Sequence, residues 1–190
     1  LYPVHLDFHG TYDNYKNIKK KIFNHHTNKE IAIINGANSD CLEITKDIKS
    51  TKYFFSATRK CDAYLKNNII YYQDKPIIDT TKTILKGNHN YENMMCAIIT
   101  GINLNISITS IKKTLENFKG VEHRIEYVNT INGVKYYNDS KSTNNMATTI
   151  ALSAFHEPIN LILGGLDRGQ DFLELKDHMQ NVKNVSVSYT

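Results

Sequence analysis

The sequence predicts an α/β fold with parallel strands, and three observations lead to this prediction. A strand-like run at residues 134–137 is followed by an Ala-rich helical run that begins near Met146 and extends to Phe155. An apolar run at residues 159–163 comes next, and a second helical stretch starts at about Asp171. A strand, a helix and a strand joined by short connections favour a right-handed crossover between parallel neighbours.

Strands and helices also alternate in the earlier part of the chain. Strand-like runs broken by polar turns lie at residues 31–34, 53–55, 68–72 and 76–78. Helices are predicted at residues 11–25, 91–102 and 108–118. Ser107 and Thr109 both suit the N-cap of the last of these helices.

A hairpin and a domain boundary are predicted after these helices. Residues 124–130 and 134–137 flank the pair Asn132 and Gly133, and Asn-Gly is the favoured two-residue hairpin turn. The preceding helix ends just before Gly120. We therefore expect two domains, one formed by residues 1–119 and the other by residues 120–190.

The loop at residues 138–144 reads Asn-Asp-Ser-Lys-Ser-Thr-Asn and is the most informative segment of the chain. It combines the acid Asp139 and the cation Lys141 with hydroxyl and amide groups where a strand leads into a helix. Free backbone N–H groups and the positive end of the helix dipole point into such a loop, so it suits an anionic ligand. The same residue types favour turns and N-caps, which leaves a simple capping loop as the alternative.

A second polar loop, Gly-Gly-Leu-Asp-Arg-Gly at residues 164–169, follows the next predicted strand. If the two strands are parallel neighbours, both loops leave the carboxyl edge of the sheet, where open α/β sheets bind ligands. We therefore expect Lys141 and Arg168 to face one crevice.

Four stretches of the chain together resemble the Mur ligases, the ATP-dependent amide-forming enzymes of peptidoglycan synthesis. They are residues 2–7 with the helix after them, residues 87–93, residues 120–124, and residues 138–144 followed by 164–172. Family members that add other residues carry an Asp-Tyr-Ala-His type sequence at the position of the 138–144 loop. The loop therefore resembles the branch that adds D-glutamate.

This resemblance implies a fold and a reaction. Residues 1–119 would be the C-terminal part of the central ATP-binding domain, and residues 120–190 the start of a Rossmann-like C-terminal domain that binds the amino acid. The enzyme would use ATP and two Mg²⁺ ions to add D-glutamate to UDP-N-acetylmuramoyl-L-alanine through an acyl phosphate. One alternative is a folylpolyglutamate synthase-like ligase, and the 138–144 loop fits D-glutamate addition better. The other is a non-catalytic α/β nucleotide-binding module, which is favoured only if the natural chain begins at Leu1.

The first predicted helix contains an unusual lysine. At about 100° per residue, Lys19 falls within an apolar stripe formed by Tyr12, Tyr15, Ile18, Ile22 and Phe23. The structural explanation is a lysine whose aliphatic stem packs while its amine reaches water. The resemblance instead implies a carboxylated lysine whose carbamate binds Mg²⁺, and poorly solvated surroundings would favour the neutral amine that adds carbon dioxide.

The resemblance assigns roles to further residues. His5, which by default would be a packed histidine, would bind the second Mg²⁺ with the Lys19 carbamate. The adenosine contacts would be Asn90, Asn93, His123 and Arg124, with Asp139 accepting a hydrogen bond from the ribose. D-Glutamate would be held by Lys141, Thr143 and Arg168, and Lys141 would also take part in catalysis. Asn88 is expected to cap its helix rather than bind a ligand.

The chain is expected to be a fragment. It starts at Leu1 without Met and ends at Thr190 inside an alternating run that reads as a strand. No Gly-x-x-x-x-Gly-Lys-Ser/Thr phosphate loop occurs in it, although the resemblance implies one upstream. We therefore expect the 190-residue chain alone to be inactive.

Composition agrees with a cytoplasmic globular protein, and a monomer is expected. The net charge of +4 is too small and dispersed to indicate nucleic-acid binding. Three widely spaced cysteines, Cys41, Cys61 and Cys96, favour reduced thiols over a disulfide framework. No apolar run approaches the roughly 20 residues of a membrane span, so no membrane partner is expected.

Overall fold

The structure is a computed structural model that describes residues 1–3, 6–165 and 171–188. The chain divides into two compact units, Leu1–Phe118 and Lys119–Thr190. Strands and helices are mixed in both units, and parallel strand pairs occur in each. The predicted α/β class is confirmed.

A five-stranded mixed sheet forms the centre of the first unit. Its strands lie in sequence order: β1 (Ile31–Asn35), β2 (Thr51–Ser56), β3 (Ala63–Lys66), β4 (Ile69–Tyr72) and β5 (Lys75–Asp79). The first three strands are parallel, and the last three form an antiparallel meander. The meander turns at Asn67-Asn68 and Gln73-Asp74, where all four residues have positive φ, as tight hairpin turns require.

The described residues of this unit form five α-helices: α1 (Leu6–His9), α2 (Tyr12–Lys20), α3 (Ser39–Ile44), α4 (Asn88–Asn103) and α5 (Ile108–Asn117). A 3₁₀ turn at Lys21–Phe23 continues α2, and another at Thr80–Lys82 follows β5. Sequence patterns alone did not reveal α1, α3 or β3, each of which has no more than six residues.

The core of the first unit lies between α4 and the sheet. The helix contributes Met94, Met95, Ile98 and Ile99, each at most 4% exposed, which pack with Ala63, Ile70, Tyr72, Ile77 and Ile78 from the strands. The helix α5 adds Ile111 and Leu115. A methyl group built on Gly101 would lie 2.9 Å from Ile111 Cδ1, so glycine allows α4 and α5 to approach closely.

The N-caps of α5 and α4 can be compared with the two capping predictions. The Ser107 side chain accepts a hydrogen bond from the Ser110 backbone N–H at 3.2 Å and caps α5, which selects Ser107 over Thr109. The expected cap at Asn88 is wrong, because Gly87 with φ 93° occupies the N-cap of α4 and Asn88 is the first helical residue. Glycine tolerates this positive φ angle, whereas an asparagine at the N-cap usually has an extended backbone.

The second unit begins with the predicted hairpin. Strands β6 (Glu126–Ile131) and β7 (Val134–Asn138) pair antiparallel around Asn132 and Gly133, whose φ angles are 51° and 80°. These positive angles match a two-residue primed turn, so the hairpin prediction is confirmed.

The remaining elements of this unit are α6 (Asn145–Ser153), β8 (Ile159–Gly164), a 3₁₀ helix at Phe172–His178 and β9 (Val182–Ser188). Strands β8 and β9 pair in parallel. Leu152 and Leu175 are buried, the first on α6 and the second on the 3₁₀ helix, and they form the apolar centre of the unit.

The predicted pairing of residues 134–137 with residues 159–163 is wrong. Strand β7 pairs with β6 and strand β8 pairs with β9, and among the described residues these are two separate sheets. The Asn-Gly turn brings β6 back beside β7, so β7 forms its strand hydrogen bonds locally. The parallel crossover comes one element later, and its connecting helix after Asp171 is 3₁₀ rather than α-helical.

No helix within the described part of the chain is long and apolar enough to span a lipid bilayer.

The core of the first unit predicts a clear stability difference. Replacing Ile98, which is fully buried, with Ala should lower the free energy of unfolding by about 2–5 kcal/mol because a cavity remains. Leu104→Ala, at a leucine that is 67% exposed, is the control and should change stability by less than about 1 kcal/mol. Urea unfolding followed by circular dichroism measures both, and equal losses would contradict the assigned core.

Candidate functional site

The polar loop at residues 138–144 is joined to the turn that precedes β6. The Lys141 backbone N–H donates to the His123 carbonyl oxygen at 3.0 Å. The Asn138 side-chain Nδ2 lies 2.8 Å from His123 Nδ1. Both ends of the hairpin therefore meet at one place in the second unit.

Asp139 is the central contact of this junction. One carboxylate oxygen accepts a hydrogen bond from the Ile125 backbone N–H at 3.0 Å, and the other accepts one from the Ser142 hydroxyl. The Asp139 side chain therefore holds both its own loop and the neighbouring turn.

The turn at residues 123–125 has an uncommon backbone conformation. His123 has φ 66° and Ile125 has φ 48°, and a β-branched residue such as isoleucine is rarely found there. The Glu126 carboxylate accepts from the His123 N–H at 2.7 Å, while Asp139 accepts from Ile125. These two carboxylates hold the turn. Arg124, which lies between His123 and Ile125, is exposed.

Lys141 and Thr143 have exposed side chains. In the portion of the chain that the structure describes, no carboxylate lies within ion-pair distance of the Lys141 amine. A cation held by its backbone beside a helix N-terminus, with its side chain directed to solvent, suits an anionic ligand. The predicted residues His123, Arg124, Asp139 and Lys141 thus lie together.

The same loop leads into α6 through two asparagines. Asn144 caps the helix by accepting from the Ala147 N–H at 2.9 Å. The buried Asn145 donates through Nδ2 to the Asp171 carbonyl oxygen at 2.8 Å and to the Glu174 carboxylate at 3.0 Å. Sequence reasoning missed Asn145, because an asparagine at a helix start looks like any other capping residue.

Arg168 lies outside the described residues, so its position opposite Lys141 stays a prediction. The predicted sheet edge that would have joined the two loops is absent, since β7 and β8 are not neighbours among the described strands. Asn145 supplies a different connection, because it links the start of α6 to Asp171, the first described residue after the second loop.

Asn90 and Asn93 lie in the first two turns of α4. Asn90 is half-buried, and its Nδ2 donates to the Lys86 carbonyl oxygen at 2.8 Å. Asn93 is exposed. Their spacing of three residues places them on one side of the helix, as expected.

The expected surroundings of Lys19 are wrong. Its side chain is exposed, and its amine lies 5.3 Å from the centre of the Tyr15 ring. Within the stripe, every residue of which the structure describes, Tyr15 alone is buried, and Ile22 is 71% exposed. The described residues therefore leave the Lys19 side chain open to solvent rather than enclosing it.

Lys16 is the more enclosed lysine of this helix. Its amine lies 3.0 Å from a Glu43 oxygen, 3.2 Å from Asp13 and 3.7 Å from Asp40. Hydrogen bonds to Glu43 and Asp13 raise the Lys16 pKa to about 12. This amine stays charged and is unsuited to carboxylation, which requires the neutral form.

The described residues show no metal site formed by the predicted ligands. His5 lies outside the described residues, and Lys19 is exposed. Across residues 1–3, 6–165 and 171–188, no three His, Cys, Asp or Glu side chains are grouped so that they could hold a metal ion.

Comparison with known families agrees with the fold. A model of the Mur ligase middle domain matches residues 1–101, more than half of the chain. The chain belongs to the Mur ligase family. The recognition made from the four sequence stretches is thereby confirmed.

Curated relatives extend the similarity beyond this middle domain. UDP-N-acetylmuramoylalanine–D-glutamate ligase of Bacillus cereus (strain G9842) is 41% identical over 187 residues, covering 97% of this chain and 42% of the relative. The ligase of the same name from Staphylococcus aureus (strain Newman) is 39% identical over 188 residues, covering 98% of this chain and 42% of that protein. The chain thus spans about two-fifths of the length of these relatives.

Solved structures of Mur ligases share the fold at low sequence identity. MurF from Acinetobacter baumannii superimposes with a TM-score of 0.73 at 17% identity, covering 97% of this chain and 44% of that one. The UDP-N-acetylmuramate-alanine ligase MurC from Thermotoga maritima gives a TM-score of 0.70 at 15% identity, covering 98% and 43%.

The Asp139 junction predicts a local change in hydrogen exchange. Asp139→Ala removes the acceptor of the Ile125 amide, so that amide should exchange about 10- to 100-fold faster, the effect of losing one charge-assisted hydrogen bond. Ser142→Ala is the matched control, because it removes the hydroxyl and leaves the bond between Asp139 and Ile125. NMR measures the exchange rate of the Ile125 amide in both variants. An unchanged rate in Asp139→Ala would show that the carboxylate does not hold this amide.

Proposed function

We propose that this chain is part of an ATP-dependent ligase that joins D-glutamate to UDP-N-acetylmuramoyl-L-alanine. The observation that carries the proposal is the 138–144 loop, in which Lys141 is exposed beside a turn that presents Arg124. Curated relatives about 40% identical over nearly the whole chain bear the name of this ligase. Exposed cations held on ordered backbone suit a reaction whose substrates all carry negative charge.

The proposed chemistry follows from the poor reactivity of carboxylates. The terminal carboxylate of UDP-N-acetylmuramoyl-L-alanine attacks the γ-phosphate of ATP and forms an acyl phosphate and ADP. The amine of D-glutamate then attacks the acyl carbon, and phosphate leaves from a tetrahedral intermediate. Such phosphoryl transfer depends mainly on positioning and on neutralising charge.

For ATP, we propose Asn90, Asn93, His123, Arg124 and Asp139 as contact residues. The Asn90 and Asn93 amides can donate to and accept from the adenine edge. His123 and Arg124 would also contact adenosine, and the guanidinium can stack on a base or reach a phosphate. Asp139 would accept from the ribose hydroxyl, since a carboxylate with two protein partners retains further lone pairs.

For D-glutamate, we propose Lys141, Thr143 and Arg168 as the residues that hold its two carboxylates. Lys141 supplies a point charge and Arg168 a planar fork that can bind a carboxylate through two parallel hydrogen bonds. Lys141 would also neutralise charge that develops during transfer. The hydrogen bond from the Lys141 backbone N–H to the His123 carbonyl oxygen supports this role, because it fixes where the flexible side chain starts.

We further propose that Lys19 is carboxylated and binds Mg²⁺ with His5, a role that rests on the family resemblance. The described residues do not by themselves fit a metal site. For Lys19 to lie in poorly solvated surroundings, another part of the ligase has to cover the exposed side of α2, including Ile18 and Ile22.

We propose that the ligase acts in the cytoplasm as a monomer, without nucleic-acid or membrane partners. Its proposed substrates are polar, water-soluble molecules. The chain's net charge of +4 is small, and this supports the proposal that it has no nucleic-acid partner.

The 190-residue chain alone should have no ligase activity. It contains no Gly-x-x-x-x-Gly-Lys-Ser/Thr loop to hold the triphosphate, even if adenosine contacts remain. Phosphate release would be assayed with both substrates and ATP, and the full-length ligase is the positive control. Release from the chain alone that depends on both substrates would contradict this expectation.

Lys19→Ala in the full-length ligase should nearly abolish turnover. Bicarbonate or a short carboxylic acid should restore part of it by replacing the carbamate. Incubation of the unmodified enzyme with ¹³C-bicarbonate should give a carbamate carbon signal by NMR that Lys19→Ala lacks. Lys20→Ala is the control, and the assignment is wrong if this neighbour proves the more damaging change.

Arg168→Ala in the full-length ligase should raise the Michaelis constant for D-glutamate about 10- to 100-fold, because a charge-assisted pair is lost. The constant for ATP should change little. Lys141→Ala should weaken D-glutamate binding and also lower the turnover rate. Lys183→Ala, at an exposed lysine on β9, is the control. Steady-state kinetics with each substrate varied in turn measures these constants. If Arg168→Ala changed only the Michaelis constant for ATP, Arg168 would not hold D-glutamate.

A further inference from the structure

Glu92 connects α4 to the ends of two parallel strands in the first unit. One oxygen of its carboxylate accepts from the Asn35 side-chain Nδ2 at 3.1 Å, and the other accepts from the Ala57 backbone N–H at 3.2 Å. Asn35 is the last residue of β1, and Ala57 directly follows β2. One half-buried side chain thus spans the carboxyl edge of this sheet.

The two groups that donate to Glu92 are themselves held in place. The Asn35 side-chain oxygen accepts from the Ala37 N–H at 2.9 Å, which leaves its NH₂ group for Glu92. The fully buried Ser56 hydroxyl accepts from the N–H groups of Thr58 and Arg59 at 3.0 and 3.1 Å. The loop after β2 therefore presents the Ala57 N–H in a defined direction.

Hydrophobic packing already docks α4 on the sheet. Met95, Ile98 and Ile99 are fully buried on the sheet side of the helix. Such contacts are not directional, so they only loosely fix how the first turns of α4 are rotated about the helix axis. Two hydrogen bonds fix this rotation more closely. A carboxylate that is partly buried costs free energy relative to an apolar side chain, and its two charge-assisted bonds offset that cost.

We propose that Glu92 is a positioning residue for nucleotide binding, which it serves by setting the orientation of Asn90 and Asn93. It lies between them in the sequence, and at 100° per residue it points away from Asn90 and toward the strand ends. Asn93 then stays exposed and Asn90 half-exposed. This inference rests on the proposed function, because it assumes that the two asparagines contact adenosine.

Two substitutions at Glu92 test the inference in the full-length ligase. Glu92→Ala removes both hydrogen bonds and should weaken ATP binding about tenfold, measured by calorimetry and as the Michaelis constant. Glu92→Gln keeps one acceptor and should weaken it about threefold. The turnover rate and the constant for D-glutamate should stay within about twofold, since neither depends on adenine orientation. Glu116→Ala, at a half-exposed glutamate on α5, is the matched control.

A double-mutant cycle separates positioning from general stability. If Glu92 acts through the two asparagines, Glu92→Ala should add less than about twofold to the ATP defect of an Asn90→Ala/Asn93→Ala variant. A full additional tenfold loss in that background would overturn the inference. So would unchanged ATP affinity in Glu92→Gln, which decides the matter if Glu92→Ala fails to fold.

Failure of the proposed function would look different. An unmodified full-length enzyme that released no phosphate in response to D-glutamate and UDP-N-acetylmuramoyl-L-alanine would refute the ligase. An active enzyme whose ATP affinity did not respond to Glu92 would refute only the positioning role.

Discussion

The hydrogen bonds of the Asp139 carboxylate are the contacts on which the candidate site depends. They hold the Ile125 amide and the Ser142 hydroxyl, and so connect two segments 14 residues apart in the sequence. A backbone with φ 48° at an isoleucine costs about 1–3 kcal/mol and persists only when its surroundings hold it. Without this acid, the Ile125 amide and the Ser142 hydroxyl would lose their acceptor, and the turn that presents Arg124 would lose one of the two carboxylates that hold it.

The first unit relies on a comparable combination of packing and polar contacts. The apolar side of α4 stabilises the folded unit by removing residues such as Met95 and Ile98, which are fully buried, from water. The Glu92 contacts with Asn35 and Ala57 add direction to that packing. Each unit therefore contains a carboxylate that accepts two hydrogen bonds from other groups of the same unit.

The helix that carries Lys19 shows how far a periodic pattern can be trusted. Periodicity correctly identified a helix with one apolar side, yet Ile18 and Ile22 on that side are 45% and 71% exposed. An amphipathic pattern says which residues share a side of a helix and does not say whether another element covers it. The enclosed lysine is Lys16, because Asp40 and Glu43 from a helix distant in sequence surround it.

Local signals in the sequence determined the α/β class, the Asn132-Gly133 hairpin and the polar loop at residues 138–144. Each depends on residues within a few positions, whose backbone preferences act without the rest of the chain. The tertiary structure decided which strands pair, and it placed β7 beside β6 rather than β8. It also brought Asp139 to Ile125, Glu92 to Asn35 and Asn145 to Asp171. These contacts join residues far apart in the chain, and no local preference encodes which distant donor a carboxylate or amide will meet.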